Sequence, residues 1–335
     1  MRNFSCPHCR HVVYFDATSC VNCATAVAFD PGARAIVRAS SGSPCANARI
    51  AGCNWVGRAP GALCESCAYT RTRPADGDVA GLAAFALVEA AKRRLLFELI
   101  ELGLPLRRFS DGPGGLGFDL LSSAYEPVTT GHQDGIVTVD LAEAEPSYRE
   151  RMRVQLGEPY RTLLGHLRHE VGHWYETVLV AEGSPQQEAC RRIFGDERAD
   201  YQAALDRHYA HGAPRDWRER FVSAYASMHP WEDWAETFAH YLHINDALRT
   251  AAAWGVRVDG PAAGLAEQQP LQSDPPDADG DISELLEAWI PLTLALNAIN
   301  RSMGVDDLYP FVLGPAVQRK LTFVDQLARG VAPGA

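Results

Sequence analysis

The sequence predicts an α+β protein, mostly helical with a small sheet, preceded by a cysteine-rich module. Three observations predict it. Eight of the nine cysteines fall before residue 68. A proline-free run from Tyr160 to Val180 places Leu163, Leu164, Leu167, Val171, Trp174 and Val178 at helical intervals. Strand and turn signals are confined mainly to the interval between Arg107 and Ala142. A composition of 47% hydrophobic and 22% charged residues is that of a globular chain and argues against long disorder.

The cysteines come first in the chain. Cys6, Cys9, Cys20 and Cys23 form C-x2-C-x10-C-x2-C, the spacing at which two knuckles close a tetrahedral four-thiolate zinc site. Cys45, Cys53, Cys64 and Cys67 are less regular but make up a second quartet. A disulfide framework is disfavoured, because no signal peptide precedes the paired knuckles. Both sites have complete ligand sets, so both zincs are expected to be structural. The start, Met1-Arg2-Asn3-Phe4-Ser5-Cys6, lacks an apolar targeting core, and Ile282 to Met303 is interrupted by Glu284, Glu287 and Asn297. A cytoplasmic protein without membrane association is the expectation.

Residues 1–73 carry eight Arg against three Asp or Glu, whereas the remainder holds 23 basic and 39 acidic residues. A basic module could grip nucleic acid or an acidic protein. Its scattered arginines and few aromatic residues favour an ordinary basic surface. Residues 71–78 read as a linker, dividing the chain into a double zinc-binding module, 1–73, and a larger domain, 74–335.

The larger domain opens with a helix from Val79 to Leu102, stopped by Gly103 and Pro105 and expected to pack on that domain, with Lys92, Arg93 and Arg94 as a solvated face. Strands follow at Gly117–Leu121 and Gly135–Leu141, and His132 reads as a surface histidine in the turn before the second. Pro159 then suits the first turn of the helix carrying His169-Glu170-Val171-Gly172-His173. In H-E-x-x-H the two imidazoles lie about 40° apart around a helix and can share one metal, zinc being the expected occupant. Glu170 stands next to them as a base for a water whose pKa the metal lowers towards about 7.

Gly183-Ser184-Pro185 ends that run. Asp196 is expected to cap a helix through His211, with Tyr201, Leu205 and Tyr209 as core or groove lining, and Cys190 reads as an ordinary buried or half-buried thiol. Asp216 is expected to cap a helix from Trp217 towards Met228, and Pro230 starts the next. Along that helix Glu232, Glu236 and His240 recur every fourth residue, so either glutamate could be the third ligand of a catalytic zinc. Asp233 points elsewhere and reads as a cap or surface charge; His240 and His243 read as structural or outer-shell residues and not as ligands. Residues 255–280 look like an irregular insertion, and helices close the chain at 281–303 and 310–330.

Three stretches, Tyr160 to His173, Val222 to Ile244 and the amino-terminal cysteines, together resemble a bacterial family of zinc-binding metallopeptidases with an amino-terminal zinc ribbon, of the glutamate-ligand zincin type. The resemblance spans nearly the whole chain. It implies a zincin-like metallopeptidase domain with a small edge sheet, peptide or protein as substrate, and one catalytic beside two structural Zn2+ ions. It places Glu232 as the ligand and Glu236 as its outer partner, the reverse remaining open. Glu170 would act as base, and Tyr225 or His229 would donate to the oxyanion. Zincin architecture further suggests that Ile136 to Leu141 is the sheet edge beside which an extended substrate lies. A reading from another class keeps the scaffold for binding, with the ribbon recruiting nucleic acid or a protein while the site is idle or latent; a third is hydrolysis of a non-peptide amide.

Overall fold

The computed structural model describes residues 2–258 and 282–330. By proximity of Cα atoms the chain forms two compact units, Met1–Gly157 with Arg161–Trp174, and Glu158–Tyr160 with Tyr175–Ala335.

The first unit begins with three antiparallel pairs: β1 (Phe4–Ser5) with β2 (Val12–Val13), β3 (Val27–Asp30) with β4 (Ala35–Arg38), and β5 (Ser43–Pro44) with β6 (Val56–Gly57). Pairs this short are not stable alone. An aromatic core joins them, with the Phe29 ring 5.0 Å from Phe15, 4.9 Å from Trp55 and 5.3 Å from Phe97. Phe97 belongs to α1 (Val79–Glu101), whose N-cap Asp78 accepts a hydrogen bond from the Gly81 amide at 2.8 Å. α1 therefore packs on the cysteine-rich segment as well as on the sheet that follows.

That packing corrects the expected solvated face. Arg94 is indeed exposed and reaches the half-buried Asp16 at 3.0 Å, but Lys92 is 0% and Arg93 3% exposed. Lys92 pairs with the equally buried Glu89 at 2.6 Å and also donates to the Thr70 hydroxyl. Arg93 donates to the carbonyls of Ala51 and Gly52 at 3.3 and 3.4 Å. A run of basic residues looks solvated in sequence; here one turn of helix faces a segment that supplies acceptors.

Four strands make the unit's main sheet, in the order β7 (Thr70–Thr72), β8 (Gly117–Leu121), β10 (Ile136–Asp140), β9 (Gly131–Gln133). β7 and β10 both run parallel to β8, and β9 pairs antiparallel with β10. The expected edge, Ile136 to Leu141, is thus an interior strand, and β9 is an edge. The reason is a tight hairpin: Asp134 and Gly135 both have positive φ, +51° and +83°, the two-residue Asp-Gly turn that folds a strand back on its neighbour. His132 accordingly sits in β9 and not in a surface turn. After a short turn at Leu141–Ala144 comes α2 (Pro146–Leu156), which no sequence expectation covered, ending at Gly157 with φ +66°. α3 (Leu163–Leu179) starts at Leu163, later than Pro159 suggested, because the Thr162 hydroxyl accepts from the Gly165 amide at 3.0 Å.

In the second unit, α4 (Pro185–Phe194), α5 (Tyr201–His211), α6 (Trp217–Arg220), α8 (Ile282–Ser302) and α9 (Pro315–Ala328) accompany the long α7 (Pro230–Ala253). α4, α8 and α9 all pack on α7, burying Trp234, Phe238, Leu242 and Leu248. α8 is long and apolar enough to span a membrane by length and composition, and its buried Leu285, Trp289 and Leu292 belong to this packing. Two boundaries differ from expectation. Asp200, not Asp196, caps α5, accepting from the Ala203 amide at 3.0 Å, because Asp196 is held by Arg198 at 2.8 Å. The helix from Trp217 stops after four residues where Phe221 turns extended, and a single turn at Tyr225–Ser227 replaces its continuation. Asp233 is neither cap nor surface charge: it is 0% exposed and pairs with Lys320 at 2.6 Å. From residue 259 the expected irregular segment lies outside the described residues.

Removing one member of a buried ion pair leaves the other charge uncompensated. Lys92→Met is expected to lower the unfolding free energy by about 3–5 kcal/mol, as read from urea denaturation. A change below about 1 kcal/mol would mean that Lys92 behaves as a surface residue.

Candidate metal centres

Each cysteine quartet has its four sulfurs within 4.8 Å of one another. Cys6 and Cys23 are 3.7 Å apart, as are Cys9 and Cys20, while Cys53 and Cys64 are 3.6 Å apart. A disulfide needs about 2.05 Å. Two thiolates on one tetrahedral zinc, with Zn–S of about 2.3 Å, stand about 3.8 Å apart, so these separations suit a shared ion. Main-chain amides point at the sulfurs, from His8 to Cys6 and Asn47 to Cys45 at 3.4 Å and from Cys64 to Cys45 at 3.2 Å. Such donors favour the thiolate form. The Asn22 amide beside Cys9, aided by the His11 backbone, holds that thiol down at about 6, whereas burial pushes Cys20 up to about 11.

The second quartet is wholly buried. Glu89 Oε2 lies 3.5 Å from Cys67 Sγ, which would place two negative groups together without Lys92 on the same carboxylate. Arg93 adds positive charge near Cys53. With Glu89 and Lys92 cancelling, α1 thus adds the one positive charge of Arg93 beside the second quartet.

On α3 the rings of His169 and His173 lie 4.9 Å apart at 87°, and both residues are buried, as is Glu170. The helix is held by Arg168, whose guanidinium donates to Glu98 of α1 at 2.7 Å. His132 of β9 stacks on His173 with ring centres 6.2 Å apart, and its Nε2 accepts from the Gly135 amide at 3.1 Å. Burial, with the neighbouring His173, lowers the His132 pKa to about 4, so this imidazole is neutral.

One turn before Glu170 stands His166, a residue the motif does not include. Its Nε2 is 3.1 Å from Glu170 Oε1 and its Nδ1 2.5 Å from Glu143 Oε2. Burial opposes its protonation, but the two carboxylates prevail and raise its pKa to about 9. For Glu170, burial works upward, yet the His166 hydrogen bond and the charges of His166, His169 and His173 bring it below the ordinary glutamate value. The four-residue step from His166 to Glu170 was readable in sequence. Glu143 carried no local signal.

In the second unit Glu232 occupies the first turn of α7, buried at 3% exposure, and its Oε1 accepts from the Tyr201 hydroxyl at 2.8 Å. Tyr201 is therefore a glutamate-orienting residue and not merely groove lining. Glu236 is one turn on and half-buried. Glu176, near the end of α3, has its pKa raised to about 8, first by burial and then by Glu197 and Glu232. Tyr225 hydrogen-bonds with Tyr201, and burial followed by the Glu232 charge keeps its phenol protonated. His229 is different from what its position suggested: Nδ1 accepts from the Trp231 amide at 3.1 Å and Nε2 meets the Ala199 carbonyl at 3.0 Å. Nδ1 caps α7 and Nε2 is taken by the Ala199 carbonyl, so neither ring nitrogen is left for an oxyanion. His240, bonded through Nδ1 to the Tyr309 hydroxyl at 2.6 Å, is structural. Cys190 is buried in α4.

Residues 81–327 match a family described as "Putative zinc-binding metallo-peptidase", and residues 3–78 match a zinc-ribbon domain. The chain is 48% identical to an uncharacterized protein of Mycobacterium tuberculosis and to one of Mycobacterium bovis, over 99% of its own length and 97% of theirs. No solved structure matches it.

Cys20→Ser and Cys64→Ser are each expected to lower the zinc bound per chain, measured by elemental analysis of the purified protein. An unchanged metal count in either variant would exclude that quartet as a ligand set.

Proposed function

Since the chain belongs to this family of zinc-binding metallopeptidases, we propose that it hydrolyses peptide bonds at a zinc ion held by His169, His173 and Glu232. The observation that carries this is the buried His169–Glu170–His173 turn of α3, with its two imidazoles 4.9 Å apart. Two histidines and a glutamate are a donor set that zinc takes in hydrolytic enzymes, and all three side chains here are buried. Tyr201 supports Glu232 over Glu236 as the ligand, since a hydrogen bond to Oε1 orients the carboxylate as ligand glutamates are oriented elsewhere.

Bound zinc would supply a Lewis acid for the scissile carbonyl and make water nucleophilic near neutral pH. Glu170, ionised by the charges around it, takes the proton of the attacking water and hands it to the leaving amine. Tyr225, kept protonated, donates to the oxyanion that develops on the carbonyl. β9 is the exposed edge to which an extended substrate can add by main-chain hydrogen bonds, in place of the interior β10. The cysteine quartets hold two further zincs as structural ions, giving three per chain.

Glu170→Gln is expected to keep all three zincs and lose about 10²–10⁴-fold in kcat on a peptide library, the range for removing a general base. Equal turnover by wild type and Glu170→Gln would end the peptidase reading and leave the scaffold as a binding module. Glu232→Gln is expected to bind one zinc fewer while Glu236→Gln binds the full set; the opposite result would exchange their roles.

A further inference from the structure

Within the site just proposed, the general base is held by a chain of side chains that begins in the sheet. Glu143 lies in the turn Leu141–Ala144 directly after β10 and is 3% exposed. Its Oε1 accepts from the Thr130 hydroxyl at 2.9 Å, and Oε2 from Arg161 Nη2 at 3.5 Å. Arg149 Nη1 donates to its main-chain carbonyl at 2.5 Å, and Thr130 is itself held by the Asp140 amide at 3.0 Å. The carboxylate therefore has little freedom to turn. His166 Nδ1 meets it at 2.5 Å, and His166 Nε2 meets Glu170 Oε1 at 3.1 Å.

We infer that His166, braced by Glu143, is a positioning residue for Glu170: it engages Oε1 and so assigns proton exchange with the water and the leaving amine to Oε2. The inference rests on the peptidase reading for its catalytic consequence, but the side-chain relay can be tested without it. A glutamate has three side-chain torsions, and a base that wanders among rotamers spends most of its time misaligned. A hydrogen bond at one oxygen removes that freedom while leaving the second oxygen's lone pairs for the reaction. The logic is that of a buried carboxylate orienting a catalytic histidine, with the roles of the two residue types exchanged. The helix-capping His229, by comparison, binds main-chain groups of Trp231 and Ala199. Both nitrogens of His166 instead meet carboxylates, one of them the base.

The test uses full-length, zinc-loaded protein. His166→Ala is expected to lower kcat about 10–100-fold, the size typical of lost outer-shell support, with KM within about twofold and the zinc count unchanged. His166→Gln should regain part of the loss, because its amide can still donate to Glu170. Glu143→Gln should act in the same direction, and the double variant His166→Ala/Glu143→Gln should be no slower than His166→Ala alone, as members of one relay are not additive. An unchanged kcat for His166→Ala, a parallel loss of zinc, or multiplicative single effects would overturn the inference. The carbon-13 resonance of the Glu170 carboxyl supplies an arm independent of turnover: Glu143→Gln, with no direct contact to Glu170 expected, should shift it at fixed pH. No shift overturns the relay; a shift in a protein that cleaves no peptide keeps the relay and discards the peptidase reading.

Discussion

Carboxylates taken out of water must be met by a fixed partner, and that requirement organises the helices of this protein. α3 carries Glu170 at 5% exposure, together with Arg168, His169 and His173, all buried within two turns. A helix so loaded can occupy only one rotation and one height, because each charge has its answering group at one place: Glu98 for Arg168, His166 and through it Glu143 for Glu170. The two imidazoles are presented together as a result of that lock, and not of the motif spacing alone. α1 obeys the same rule beside the second cysteine quartet, where Glu89 and Lys92 neutralise each other.

α7 shows what the rule does to sequence neighbours. Glu232 and Asp233 are consecutive acids, yet a step of about 100° around the helix sends them to different surroundings. Asp233 is consumed by Lys320 from α9, with burial pushing its own pKa up to about 7. The Tyr201 hydroxyl, a neutral donor, bonds the Oε1 of Glu232 and orients the group without cancelling its charge. A carboxylate in that condition can still serve a cation. His229 completes the arrangement by capping the helix from which Glu232 projects.

The edge of the sheet has a comparable logic. Asp134-Gly135 folds β9 back on β10, and the hairpin brings His132 against His173. Burial keeps His132 neutral, so it adds no positive charge beside His173.

Much of this was legible beforehand because it is local. The cysteine quartets, the helical period around His169 and His173 and the start of α7 at Pro230 all follow from spacing or from residue type within a few turns of chain. The failures share the opposite character. Lys92 and Arg93 read as solvated, Asp233 as a surface charge and His132 as a turn residue because their partners, Glu89 aside, are far along the chain: Ala51 and Gly52, Lys320, and His173. By itself the sequence made the cysteine spacing and most of the long helices legible, though not α2 or the break after Arg220, since ligand spacing and helical period are properties of neighbours. Tertiary structure alone decided which strand is an edge, which charges are neutralised, and that Glu143 stands behind His166, because each is settled by a group brought from elsewhere in the chain to answer a buried charge.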